Sequence, residues 1–217
     1  MDKKELSHII ASIVILTAVF SFGFILINKP YEIPKAALYS TVLIILVIGS
    51  KKLMASMLDL DIEHQIWMFS RWGFRKQNKF KKEAPAGIIF PLLLSLISLG
   101  AVKFSALLTY EARALKYRAA KRFGYYSYAE MTDWHNALIG TAGIMTALII
   151  SVVSYFLPYD LELLARMSAY YAFWNLLPIS NLDGTQIFFG SKILWSTLAI
   201  LTLIITAYAL IIGFGVI

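Results

Sequence analysis

The sequence predicts an all-α, polytopic integral membrane protein with about five transmembrane helices and one re-entrant segment. Hydrophobic residues make up 59% of the chain and charged residues only 15%, and the mean hydropathy is +0.70. A soluble protein of this size needs a more polar surface than this composition supplies. Long apolar runs recur along the 217 residues, with short connections between them. We therefore expect a single membrane domain, residues 1–217.

Two apolar runs near the N-terminus predict the first two spans. The first, residues 9–27, is too long for the core of a signal peptide and lacks a small-residue cleavage pattern after it. It is expected to remain as an anchor. The second, residues 36–58, contains Lys51 and Lys52 near its end. Both lysines are expected to extend their ammonium groups to the membrane interface.

Two basic segments set the expected orientation. The first lies within a polar, aromatic loop at residues 59–83, and the second covers residues 113–122. Their basic residues are Arg71, Arg75, Lys76, Lys79, Lys81 and Lys82, then Arg113, Lys116, Arg118, Lys121 and Arg122. Both segments are predicted to be cytoplasmic, because basic loops favour that side. Attraction to anionic headgroups explains the net charge of +7 without a nucleic-acid partner.

The apolar run between these basic segments, residues 87–108, is interrupted by Pro91, Gly100 and Lys103. A full crossing would place one basic segment outside the cell. A segment that enters the membrane and returns keeps both inside, and such backbone is tolerated where protein surrounds it. We favour the re-entrant interpretation and keep the crossing as its alternative. Further spans are predicted at residues 135–157, 161–177 and 193–217.

A polar motif follows the span at residues 161–177. It reads Asn175-Leu-Leu-Pro178-Ile-Ser-Asn181-Leu182-Asp183-Gly184. Amides and a carboxylate near membrane depth are costly and usually mark a site. The pattern N-x-x-P-x-x-x-L-D-G resembles one signature of the site-2 protease family of intramembrane zinc metalloproteases, in which the aspartate is a metal ligand. The predicted binding residues are Asn175, Pro178, Asn181, Asp183 and Gly184. The structural alternative is a kinked helix end whose polar side chains satisfy freed backbone groups.

The other signature of that family, H-E-x-x-H, is absent. The resemblance would place it near Val47-Ile48-Gly49-Ser50-Lys51, where no residue can hold zinc or act as a general base. A hydrolytic zinc needs three protein ligands, an open position for water and a glutamate that takes the proton. We therefore assign no catalytic residue and expect no cofactor. The favoured function is a pseudoprotease that binds a transmembrane or extended membrane segment.

Two other functions stay open. An active zinc peptidase would use His64, His135 and Asp183 as metal ligands, with Glu63 or Asp133 as the base. A small transporter or channel would use Asp183 as an ion or proton site. The expected partners are membrane lipid and, for the pseudoprotease, a peptide or transmembrane segment of another membrane protein.

Overall fold

The computed structural model describes residues 3–71, 79–115, 131–157 and 160–214, and the chain is mostly helical there. The helices are α1 (Lys3–Leu26), α2 (Ile33–Met57), α3 (Ala86–Ile97), α4 (Asp133–Phe156), α5 (Glu162–Leu176), α6 (Asp183–Gly190) and α7 (Lys192–Phe214). A 3-10 turn, Pro30–Glu32, precedes α2. The strands are β1 (Leu60–Ile66), β2 (Phe69–Arg71), β3 (Lys79–Ala84) and β4 (Leu108–Ala114). The helical fold class is therefore confirmed in outline, with short strands added.

Four helical stretches are long and apolar enough to cross a membrane: Lys3–Leu26, Pro30–Met57, Asp133–Phe156 and Lys192–Ile211. They correspond to four of the predicted spans. The fifth predicted span, residues 161–177, forms α5, which has only 15 residues. A helix of that length rises about 22 Å, less than the hydrocarbon core of a bilayer.

Small residues let the central helices approach one another closely. Gly140, Gly143 and Ala147 are buried on α4. A Cβ on Gly140 would lie 3.3 Å from the carbonyl oxygen of Asp183 at the start of α6. Close approach of this kind is typical of helix packing in membranes. The small residues of α4 thus bring α6 against the centre of the bundle.

Strands β1, β2 and β3 lie in and directly after the predicted loop at residues 59–83, and β4 runs from the end of the apolar run 87–108 into the second basic segment. β1 pairs with β4 in antiparallel register from Leu60↔Ala114 to Ile66↔Leu108, and β2 pairs with β3. Residues alternate in β1, so that the side chain of Ile62 is buried and that of Glu63 is exposed. This period of two is the signal for a half-buried strand, and the basic composition of the neighbouring residues obscured it.

The segment between β3 and β4 goes out along the bundle and comes back. The N–H of Gly87 donates to the carbonyl of Trp67 at 2.9 Å, and the N–H of Trp67 donates to the carbonyl of Leu107 at 2.9 Å. Its two ends therefore lie side by side, which agrees with the re-entrant interpretation. At the far end, Gly100 has a φ of +80° and packs against the backbone of Gly23. We call residues 86–107 the re-entrant hairpin.

Part of the two basic segments lies outside the described residues. Arg75, Lys76, Lys116, Arg118, Lys121 and Arg122 all fall at residues 72–78 or 116–130. The cytoplasmic placement of these segments stays a prediction.

Candidate functional site

A buried ion pair joins α2 to α6. The Nζ of Lys51 lies 2.6 Å from Oδ2 of Asp183, and the two side chains are 1% and 0% exposed. The prediction that Lys51 extends to the interface is wrong. Lys51 instead lies inside the bundle, because α2 continues past it to Met57 and its side chain points towards α4 and α6. The neighbouring Lys52 points the other way and pairs with Glu5 of α1 at 2.7 Å.

Two glycines make room for this ion pair. A Cβ on Gly143 of α4 would overlap Cε of Lys51, so this glycine leaves room for the lysine side chain in its observed position. A Cβ on Gly184 would overlap the backbone carbonyl of Leu176. The end of α5 and the start of α6 therefore touch backbone to backbone, and Asp183 is held at the first position of α6.

Aromatic side chains close the space around the pair. The Tyr110 ring centre is 5.1 Å from Nζ of Lys51, and the Tyr110 hydroxyl donates to the carbonyl of Asn136 at 2.8 Å. Tyr171 of α5 is fully buried. Oδ1 of Asp183 is buried and has no hydrogen-bond partner in the described part of the chain. Desolvated charges of this kind persist when they are paired, and here one ammonium balances one carboxylate.

The three predicted metal ligands each have a different partner. Asp183 pairs with Lys51. His64, which faces inward from β1, has Nδ1 3.3 Å from Oε1 of Glu5. His135 lies in the first turn of α4 and forms a capping box with Thr132. Across residues 3–71, 79–115, 131–157 and 160–214, no three His, Cys, Asp or Glu side chains form a group that could hold a metal.

A zinc ion does not fit this site. The carboxylate of Asp183 already has a cation within 2.6 Å, and Lys51 is a donor with no lone pair to offer a metal while it is charged. No pair of histidines adjoins Asp183 to complete a tetrahedral set in the part of the chain that the structure describes. The possible bases Glu63 and Asp133 are both exposed.

Burial lowers the pKa of His64 to about 3, and the positive charge of Lys51 also lowers it, while Glu5 acts in the opposite direction. Its imidazole is therefore neutral at pH 7. An unfolded histidine has a pKa of about 6.5, so between these two values the unfolded chain binds the extra proton. The folded state consequently loses stability as the pH falls below about 6.5.

We expect His64→Gln to flatten the pH dependence of stability. The wild-type free energy of unfolding should fall by up to about 1.4 kcal/mol per pH unit from this residue alone below pH ~6.5. The variant should lose that contribution. Unfolding midpoints of the detergent-solubilised protein between pH 7.5 and 5 measure it. Equal slopes for the wild type and the variant would show that His64 is not buried as a neutral group.

The predicted binding residues separate into two groups. Asp183 and Gly184 are buried at the ion pair, and Asn175 is buried nearby. The Asn175 amide donates to the carbonyls of Tyr171 at 2.9 Å and Ser105 at 3.3 Å, so it ties α5 to the re-entrant hairpin. Pro178 and Asn181 are exposed in the turn before α6. For Asn175 the structural alternative is therefore the better description.

A polar cavity of about 360 Å³ lies beside β4, and Asn181 is part of its wall. Three other carboxamide side chains line it: Gln65, Asn136 and Gln186. Sequence reasoning did not find these residues, because they come from three separate elements and share no motif. Carboxamides both donate and accept hydrogen bonds, which suits them to a peptide backbone.

One edge of β4 has no strand beside it among the described residues, because β1 and β4 form a sheet of two strands. Backbone hydrogen bonds cross between the two strands at both ends of the sheet. They join Trp67 to Leu107 and Asp59 to Leu115. In antiparallel pairs such bonds recur at every second residue. The backbone groups of Tyr110 and Ala112 therefore point away from β1, towards the open edge.

Lys51 is the residue that the sequence analysis missed as part of the site. Its signal was a lysine within an apolar span, in the stretch where the family resemblance places the lost zinc motif. Charged residues at such depth usually face a partner inside the bundle. Because Lys52 follows directly, the sequence favoured an interfacial position for both lysines.

No family model matches the chain, and no curated protein or solved structure matches it either. The resemblance to the site-2 protease family therefore rests on the motif residues themselves.

Proposed function

We propose that the chain is a catalytically inactive, site-2-protease-like integral membrane protein that binds an extended or transmembrane segment of another membrane protein. The ion pair between Lys51 and Asp183 is the observation that supports this proposal. Asp183 matches the metal-ligating aspartate of the family motif, and Lys51 belongs to the stretch where the second signature would lie. The ammonium group supplies the positive charge that the buried carboxylate needs, but it is no Lewis acid and activates no water.

The open edge of β4 is the feature best suited to an extended segment. Outward-facing backbone groups at Tyr110 and Ala112 can pair with a further strand, which is a common mode of peptide recognition. The adjoining cavity offers the carboxamides of Asn136, Asn181 and Gln186 to side chains or backbone of that strand. The bound segment would pass Tyr110, whose ring covers Lys51.

The four long apolar helices support membrane insertion, and the charge distribution supports a cytoplasmic N-terminus. In that orientation the end of α2, strand β4 and the start of α6 lie on the cytoplasmic side. The partner segment would accordingly be bound where it leaves the membrane on that side.

Ala112→Pro should block strand addition without breaking the β1–β4 pair, since proline removes an N–H that points to the open edge. A photo-crosslinking residue in place of Ala114 reports the bound segment. We expect a specific crosslink in membranes that Ala112→Pro reduces at least about tenfold, the loss expected for roughly 1.4 kcal/mol. Ala112→Ser, which keeps the N–H, should retain the crosslink. Equal crosslinking in both variants would contradict strand addition.

Zinc content of the purified protein separates this function from an active peptidase. We expect no stoichiometric zinc in the wild type, because Lys51 already neutralises Asp183. Near-stoichiometric zinc that disappears in Asp183→Ala would support a peptidase with unusual ligands instead.

A further inference from the structure

A lysine lies at the end of the bundle opposite the Lys51–Asp183 pair. Lys52, the neighbour of Lys51, pairs with Glu5 in the first turn of α1. The Lys51–Asp183 pair therefore lies near the start of α1. The far turn of the re-entrant hairpin, by contrast, packs at Gly23, close to Leu26 where α1 ends. Lys103 follows this turn, and its Nζ is 5.4 Å from the centre of the Phe20 ring.

Lys103 has no balancing carboxylate in the part of the chain that the structure describes. No carboxylate forms an ion pair with it within residues 3–71, 79–115, 131–157 and 160–214. Arg166, a second cation, lies close enough to repel the charge of Lys103. Arg166 has the carboxylate of Glu162 at 3.5 Å, and its buried Nε lacks a hydrogen-bond partner among the described residues. Glu162 is therefore engaged by Arg166, and among the described residues Lys103 forms no ion pair of its own.

An apolar groove of about 320 Å³ begins at Lys103. Its walls come from the hairpin turn, α5 and α7, and they include Val102, Phe173, Trp174 and Leu203. The outer surface of α7 is apolar too, with Leu203 56% exposed. The groove thus combines a cation with a long apolar wall, and its volume lies in the range of about 300–1,000 Å³ found for ligand sites.

We propose that this groove binds one acyl chain of an anionic phospholipid, whose phosphate pairs with Lys103. An ammonium group without a carboxylate partner selects a negative headgroup, and the side chains of Phe173, Trp174 and Leu203 match a hydrocarbon chain. The site depends on insertion of the chain into a membrane. It does not depend on the pseudoprotease interpretation or on the edge of β4.

Native mass spectrometry of the full chain in detergent, with equal amounts of phosphatidylglycerol and phosphatidylcholine, tests the site. We expect one lipid per chain, with phosphatidylglycerol preferred. Lys103→Gln should reduce the preference about fivefold, which corresponds to the roughly 1 kcal/mol that a lysine contributes towards anionic lipid. Lys192→Gln is the matched control, since Lys192 has a similar contact with Phe188, at 5.9 Å, and lies at the other end of α7. It should leave the preference unchanged.

A second variant tests the apolar wall. Ala207→Trp fills the groove and should abolish the adducts with phosphatidylglycerol and with phosphatidylcholine. Added phosphatidylglycerol should raise the unfolding midpoint of the wild type more than that of Lys103→Gln or Ala207→Trp. Retention of the lipid preference in Lys103→Gln would overturn the proposal. A dimer peak in the wild type that Ala207→Trp removes would also overturn it, because a second copy of the chain would then occupy the groove.

Discussion

Lys51→Met is expected to lower the free energy of unfolding by about 3–5 kcal/mol, because it leaves the carboxylate of Asp183 buried without a counter-charge. Asp183→Leu should have an effect of similar size, since it leaves the ammonium unpaired. The loss in Lys51→Met should shrink as the pH falls, because the isolated carboxylate can take up a proton and become neutral. Equilibrium unfolding in mixed micelles at pH 7 and pH 5 measures both effects.

The double variant Lys51→Met/Asp183→Leu should be much more stable than either single variant, because apolar side chains of similar volume can replace a buried ion pair at little cost. The difference between the summed single effects and the double effect gives the coupling energy of the pair. Lys35→Met is the matched control on the same helix. Lys35 pairs with the exposed Asp160 at 2.5 Å, and an exposed pair contributes only about 0–1 kcal/mol. Strictly additive losses for Lys51 and Asp183 would contradict the buried pair.

Gly184→Ala should be the second strongly disruptive substitution. Its new Cβ would overlap the carbonyl of Leu176, and backbone atoms have no rotamer that could relieve the overlap. We expect a loss of about 3 kcal/mol or more, at the upper end of the range for overpacking. The strain should also shift Asp183 away from Lys51, since Asp183 directly precedes this glycine.

Gly49→Ala provides the control for Gly184→Ala. A Cβ on Gly49 of α2 meets no atom within 4 Å, and alanine in a helix interior is favoured over glycine by roughly 0.5–1 kcal/mol. The control should therefore be neutral or slightly stabilising in the same unfolding assay. If Gly184→Ala behaved like Gly49→Ala, the close contact between α5 and α6 would be wrong.

The long helices were predictable because a span must be apolar over its whole length and must satisfy its own backbone. The motif at Asn175–Gly184 likewise marked the break between α5 and α6. The partner of Asp183 was not predictable from composition, since Lys51 comes from a distant part of the chain. The side chain of a lysine near a helix end can point either outward to the membrane interface or inward to the bundle. His64 illustrates the same limit, because its burial depends on the pairing of β1 with β4 and on Glu5 of α1.

Trp67 hydrogen-bonds to residues at both ends of the re-entrant hairpin, through its carbonyl at Gly87 and its N–H at Leu107. A segment whose two ends meet in this way passes an even number of times through any plane that cuts it. The hairpin leaves α4, α5 and α7 with the orientation that they would have without it. A longer or shorter turn around Gly100 would therefore leave the direction of the helices that follow unchanged.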